Sequence, residues 1–333
     1  MFTTDHLLPL LEEQLRKAVD EMSGNVDSMI VQASQQHLNT GGKRLRARLA
    51  LAALSAFGKS PQEYMAWGTA CELLHNATLV HDDLQDGDRL RRGHPTVWVR
   101  HGMAQAINTG DFLWMLPFLE LGRFSIPDGI RWSLAELLAR QSIEVIRGQS
   151  LEQALTVSQN VEKDQYYASI RGKTSALFAV PVEGAALIAG IPEIARRQLR
   201  TIFGDVGVMF QIQDDILDLY GDKGRDFTGA DIREGKISAL VVEHCVQCPE
   251  DKAKLLDVLG RERDSIDVSE VTWWINRFRE RGSLGKLCES LLKMKESVLR
   301  KVDESPDLRG IMDITSTLID LSLTPIGSVL EEL

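Results

Sequence analysis

Apolar residues recur at helical spacing along nearly the whole of this chain, and few residues interrupt them. In LLPLLEEQLRKAV the leucines fall at i, i+3 and i+4, and GTACELLHNATLVHDDL repeats the pattern around Leu73, Leu74 and Leu79. The same period runs through SLAELLARQSIEVIRG, residues 163–189, RRQLRTIFGDVGVMFQIQDDILDLY, VTWWINRFRERGSLGKL and the segment from Asp307. Apolar stripes of that kind must be covered by other helices. Glycine and proline breaks are sparse: GKSP at 58–61, IPDG at 126–129, GIP at 190–192 and GDKGRDFTGAD at 221–231. Strand-like alternation is nearly absent, with SALVVEHCV the one candidate. The expected fold class is therefore all-α, a single large bundle of long helices around a central cavity. A chain of 333 residues has room for two domains. No linker, low-complexity run or repeat divides it, so one domain over residues 1–333 is expected.

Composition narrows the function classes. The most apolar stretch, LFAVPVEGAALIAGIP, is interrupted by Pro181, Glu183, Gly184 and Gly190 and is too short to span a bilayer. The N-terminal MFTTDHLLPLLEEQ carries acids where a signal peptide needs basic residues, so a cytoplasmic protein is expected. The formal net charge of −10 argues against a nucleic-acid binder. Within that acidic chain the basic run KRLRAR, Lys43 to Arg48, is better suited to a small anionic ligand. Four cysteines are too few for a disulfide scaffold, and the Cys245–Cys248 pair lacks the second pair of a zinc finger. These two read as structural thiols at a helix end.

Two acidic clusters carry the chemistry. Asp82, Asp83 and Asp86 stand at i, i+1 and i+4 at the end of an apolar helix, and Asp214, Asp215 and Asp218 repeat the spacing. Such acids repel one another, which costs stability and raises their pKa values. A hard cation removes the conflict. Magnesium takes one or two carboxylates together with phosphate oxygens and waters, so two DDxxD helices are suited to holding a diphosphate. The EF-hand pattern, with its Gly-containing loop ending in Glu, is not present at either cluster.

Basic groups accompany the acids. Arg91 and Arg92 follow the first cluster, Lys43 and Arg46 precede it, and His75 lies two helical turns before Asp82. Lys173 stands in RGKTSALF and Lys236 in REGKISAL. Cations alternating with acids in this way fit a polyanion held from both sides, one diphosphate through metal and a second by direct Arg and Lys hydrogen bonds.

These landmarks, GGKRLR, ELLHNATLVHDDLQD, RRG, GKTSALF, FQIQDDILD and DIREGK, run in order over residues 41–236. Together they resemble the trans-isoprenyl diphosphate synthase, or polyprenyl synthetase, family. The resemblance implies the isoprenoid synthase fold, three magnesium ions at the cavity mouth and a homodimer. It implies that Asp82, Asp83, Asp86, Asp214, Asp215 and Asp218 hold the metals, and that Arg91, Lys173 and Lys236 bind the allylic diphosphate. Lys43, Arg46, His75 and Arg92 would bind isopentenyl diphosphate without metal, and Thr174 and Gln211 would sit near the reacting carbons. The family usually carries a Lys shortly before the position of Asp231. Here Asp226 and Phe227 stand at those offsets, leaving Arg225 or Lys223 to take its contact.

The implied reaction is head-to-tail condensation of isopentenyl diphosphate with dimethylallyl, geranyl or farnesyl diphosphate. A terpene cyclase would lack GGKR, RRG and the second DDxxD, and a non-catalytic synthase subunit would have lost aspartates; all of these remain. Chain length turns on Ala77 and Thr78, the fifth and fourth residues before Asp82, where farnesyl-makers carry a large aromatic. Both are small, so the product should pass the farnesyl stage. Phe112, Trp114, Met115 and Phe118 are candidates for a deeper floor or for ordinary core. Geranylgeranyl diphosphate is the expected product, with chains up to octaprenyl as the alternative.

Overall fold

The structure is a computed structural model and describes residues 2–22, 28–158, 161–221 and 229–331. Among these the chain is almost entirely helical. Helices α1 Leu8–Asp20, α2 Met29–Leu38, α3 Leu45–Ala56 and α4 Met65–Gln85 come first, then a hairpin of two-residue strands, β1 Leu90–Arg91 and β2 His94–Pro95. Helices α5 Val97–His101, α6 Met103–Glu120, α7 Asp128–Ser158, α8 Lys163–Ile170, α9 Ala176–Ala189 and α10 Glu193–Tyr220 follow. The chain continues through α11 Ala230–Arg233, α12 Ala239–Gln247, α13 Pro249–Leu259, α14 Val268–Glu280, α15 Ser283–Asp303, α16 Met312–Leu323 and α17 Gly327–Glu331. The all-α expectation is borne out. SALVVEHCV is not a strand: residues 239–247 form α12, whose first seven residues are all buried. Its run of apolar residues reflects a helix covered on every side, a case that periodicity alone does not separate from a buried strand. No helix among the described residues is long and apolar enough to cross a membrane.

The residues cluster into two compact units, one of Met1–Arg140 with Val180–Arg200, the other of Gln141–Ala179 with Thr201–Leu333. The core of the first unit is built on α4, where Trp67, Leu73, Leu74 and Ala77 are essentially inaccessible. Gly68 lets α3 approach, since a Cβ there would lie 3.2 Å from Leu51. The Trp67 indole donates to the Pro181 carbonyl at 3.0 Å and occupies the space a side chain at Gly184 would need. An exact fit of this kind lets a large aromatic be buried with its polar atom satisfied.

In the second unit, α8 runs into α9 through a π-helical turn, Arg171–Ser175, which carries RGKTS. Such turns insert an extra residue into a helix and re-aim its side chains. This one is pressed against α7 by paired glycines: a Cβ on Gly172 would lie 2.7 Å from the Glu144 carbonyl oxygen and 2.8 Å from Gly148 Cα. The close backbone approach fixes where Lys173 and Thr174 begin.

Candidate active site

In the first unit the acids occupy the last turn of α4, with Asp86 at its C-cap. A helix C-terminus carries partial negative charge, so acids there are disfavoured unless cations answer them. The structure divides the cluster. Asp83 turns inward, 1 % exposed, and Arg91 grips it: Nε lies 2.7 and 2.9 Å from the two carboxylate oxygens and Nη2 2.5 Å from Oδ1. Burial raises the Asp83 pKa while Arg91 pulls the other way. Asp82 and Asp86, one turn apart, remain partly exposed. The resemblance gives all three acids to metal and Arg91 to the allylic diphosphate. In the structure Arg91 engages both oxygens of Asp83 in an intramolecular pair.

The basic residues before and after α4 are shaped by backbone geometry. Gly41 and Gly42 take φ of 82° and 131°, and Arg92 Nη1 donates to the Gly41 carbonyl. A Cβ on Gly42 would meet that guanidinium 2.6 Å away, so glycine is required for Arg92 to cross here. Arg92 and Gly93 form the hairpin turn, with φ of 53° and 77° as a type I′ turn demands. Within KRLR the side chains diverge. Lys43 is exposed, whereas Arg44 is buried and donates to Glu12 at 2.7 Å and to the Leu38 carbonyl at 2.7 Å. Burial lowers the Arg46 pKa to about 10. His75 is driven well below the ordinary histidine range, first by burial and then by Arg46, Arg91 and Arg92. Four of the expected anion ligands therefore share one electrostatic neighbourhood, with His75 neutral.

Ala77 and Thr78 are both buried, and the Thr78 hydroxyl donates to the His75 carbonyl at 2.7 Å. Phe112, Trp114 and Phe118 are half-buried, and Trp114 stacks on His81 with ring centroids 5.9 Å apart. Met115 is 58 % exposed.

The second unit repeats the division. Asp214 is exposed, whereas Asp215 and Asp218 are buried. Asp215 accepts from the Tyr166 hydroxyl at 2.6 Å, the Ala239 amide at 2.7 Å and the Gln211 side-chain amide at 2.9 Å. Burial outweighs these donors and raises its pKa to about 6. Gln211 Oε1 in turn accepts from the Thr174 hydroxyl at 2.9 Å, so Thr174, Gln211, Asp215 and Tyr166 form one chain. Asp218 accepts from the Asp231 amide at 2.9 Å, tying α10 to the start of α11. Three separate donors thus converge on Asp215, where Asp83 has Arg91 alone.

Lys173 pairs with Glu152 at 2.6 Å and Lys236 with Glu234 at 3.0 Å. Sequence reasoning missed Tyr166, Glu152 and the Ala239 amide. Tyr166 stands seven residues before Lys173, close to two helical turns, and that spacing was the available signal. Residues 222–228, which include Lys223, Arg225, Asp226 and Phe227, lie outside the described residues.

The exposed acids fit a hard divalent cation by their chemistry, carboxylate oxygens each beside a buried acid that is already hydrogen-bonded. His244, Cys248 and Asp251 also come together, with donor atoms within 4.8 Å of one another. Here, however, Arg277 donates to Asp251 at 2.8 Å, Arg281 to Cys248 Sγ at 3.4 Å, and His244 is bonded to Asp251 and Ser283. Two guanidiniums in the shell make this a closed structural network. Cys245 and Cys248 are both buried free thiols at the end of α12, as the sequence reading expects.

Comparison with known proteins agrees with these landmarks. Residues 27–275 match the family described as polyprenyl synthetase. A short chain isoprenyl diphosphate synthase from Methanocaldococcus jannaschii is 35 % identical over 79 % of this chain and 79 % of the relative. A geranylgeranyl diphosphate synthase from Sulfolobus acidocaldarius is 34 % identical over 73 % of this chain and 75 % of its own length. The crystal structure of a geranylgeranyl pyrophosphate synthetase from Pyrococcus horikoshii superposes with a TM-score of 0.83 at 28 % identity, covering 95 % and 96 % of the two chains.

Proposed function

The chain belongs to the polyprenyl synthetase family, and on that footing we propose that it condenses isopentenyl diphosphate with an allylic diphosphate head to tail, releasing a trans-polyprenyl diphosphate. It is a prenyltransferase. The observation that carries the reading is the doubled DDxxD: on α4 Asp83 is locked inward while Asp82 and Asp86 stay partly exposed, and on α10 Asp215 and Asp218 are locked inward while Asp214 is exposed. Geranylgeranyl diphosphate is the proposed main product, supported by the small Ala77 and Thr78 and by the names of the relatives. Residues 1–333 are taken as one synthase domain, because the family match runs through both units. The protein is proposed to act in the cytoplasm as a homodimer.

Asp82, Asp86 and Asp214 would hold magnesium, whose positive charge stabilises a departing diphosphate. Asp83 and Asp215 act as positioning groups: the first fixes Arg91, the second fixes Gln211 and, through it, Thr174. Lys173, Lys236 and Arg91 hydrogen-bond the allylic diphosphate, and their charge counts most as the allylic C–O bond breaks. Lys43, Arg46, His75 and Arg92 bind isopentenyl diphosphate, with His75 as a neutral partner.

The Thr174 and Gln211 dipoles face the electron-deficient allyl carbon. The isopentenyl double bond attacks that carbon from a fixed distance, forming the new C–C bond. The resulting cation loses a proton from the adjacent carbon to the released diphosphate, so no side chain need serve as base. Incubation of the purified chain with labelled isopentenyl diphosphate, an allylic primer and magnesium tests the reading. Elongated prenyl diphosphates are expected; a cyclic hydrocarbon, or no product, overturns it.

A further inference from the structure

Glu72 is a buried acid, 3 % exposed, on α4 one turn before His75, and it is not among the groups assigned above to metal or diphosphate. A carboxylate taken so far from water is costly unless donors meet it. Its oxygens reach two helices. Oε2 accepts from the Ala47 amide of α3 at 3.2 Å. Oε1 accepts from Asn76 Nδ2 at 3.3 Å and stands 4.0 Å from Arg44 Nη1, itself buried.

Ala47 is the third residue of α3, where the backbone N–H has no acceptor within the helix and an N-cap side chain ordinarily takes it. The N-cap here is Arg44, a donor held at φ of 47°, and the first turn carries no acid. Arg44 and Arg46 thus stand at the positive end of the helix dipole, an arrangement that the dipole disfavours. Glu72 answers both problems from the neighbouring helix, by accepting the amide and by bringing negative charge to the cations. The electrostatics run the same way. Burial lowers the Arg46 pKa and Glu72 opposes it; burial, Arg91 and Arg44 lower that of Arg92, and Glu72 with Asp83 opposes them. We propose that Glu72 is a positioning residue for isopentenyl diphosphate, which pins the first turn of α3 against α4 and so fixes where Arg46 meets the anion. The proposal rests on the reading of Arg46 as a ligand of that substrate. Glu72 acts through Arg46 and not on the substrate, since a carboxylate repels a diphosphate.

Glu72→Gln keeps the shape and one acceptor, but loses the charge and sets an NH₂ before one of the donors. Isopentenyl diphosphate is titrated by calorimetry into the full-length chain, with a metal chelator and no allylic primer, well below each variant's melting midpoint. Binding should weaken roughly tenfold. The KM for isopentenyl diphosphate should rise alike, with kcat and the KM for the allylic primer within about twofold. The double variant with Arg46→Ala should bind within about twofold of Arg46→Ala alone, because the support then has nothing left to position. A lower melting midpoint with unchanged affinity, or full additivity in the double variant, overturns the proposal. Arg46→Ala separates the two readings. If it binds like the unmodified chain, the site assignment falls and this inference with it; if it weakens and Glu72→Gln does not, only the role of Glu72 falls. Amide hydrogen exchange in the unmodified chain needs no variant: Ala47 should exchange slowly, and more slowly with isopentenyl diphosphate bound. Exchange as fast as at an open first turn overturns the contact.

Discussion

At the scale of single residues, the acids at the end of α4 and α10 occupy two different settings that their spacing does not separate. Asp83 and Asp215 are enclosed and saturated, whereas Asp82 and Asp214 are turned toward solvent. Replacing Asp82 or Asp214 by Ala should cut turnover at least a hundredfold, about 2.7 kcal/mol of barrier, and leave the helical circular dichroism spectrum and the melting midpoint nearly unchanged. Steady-state rates above a tenth of the unmodified value would rule out the metal assignment. Asp83→Ala and Asp215→Ala should also lower the melting midpoint, because each leaves buried donors without an acceptor.

A second test at this scale concerns Glu120, which is 1 % exposed and bonded to Arg123 at 2.5 Å while its Oε2 has no partner. Burial raises its pKa to about 7. The folded state then holds the proton more tightly than the unfolded state, so this group's contribution to stability falls as pH rises from about 4.5 to 7. Glu120→Gln should remove that slope, a relative gain of up to about 3 kcal/mol at pH 7 given about 1.36 kcal/mol per pKa unit. Denaturant midpoints measured across the window check it, and parallel pH profiles for the two proteins would contradict it.

At the scale of elements, the π-helical turn Arg171–Ser175 is positioned by glycines on both sides. A Cβ on Gly148 would lie 2.7 Å from both the Gly172 carbonyl carbon and the Ser169 carbonyl oxygen, which are backbone atoms and cannot rotate away. Gly148→Ala must therefore push α7 off the turn. The expected cost is about 2 kcal/mol or more in stability. A rate loss should accompany it, because Lys173 and Thr174 move with the turn. Gly129→Ala, where nothing lies within 4 Å, is the control and should leave both unchanged. Equal behaviour of the two variants would show that the contact does not position the site.

At the scale of the whole molecule, the exposed consequence is product length. Ala77 is fully buried and small. Ala77→Tyr, which adds a ring at that level of α4, should shift the main product to farnesyl diphosphate while turnover stays within about tenfold, 1.4 kcal/mol. Chromatography of the dephosphorylated products reads the result. An unmodified chain that stops at farnesyl, or an Ala77→Tyr variant with unaltered products, would place the wall elsewhere.

The sequence by itself determined the fold class, because uninterrupted helical periodicity leaves an apolar stripe on nearly every segment and only other helices cover it. It also determined the family and the chemistry, because DDxxD twice, GGKRLR, RRG and GKT are local patterns whose meaning survives without coordinates. SALVVEHCV misled for the converse reason: a helix buried on all sides loses its period. Only the tertiary structure decided which acid of each triad is enclosed and hydrogen-bonded and which is left exposed, since Asp82 and Asp83 are adjacent in sequence and differ only in what lies opposite them. The same holds for Lys43 and Arg44, one exposed and one buried against Glu12, and for Met115, bulky yet exposed. Burial, hydrogen-bond partners and the donors collected around Asp215 come from segments far apart in the chain, Tyr166 and Ala239 among them. No local pattern carries that information.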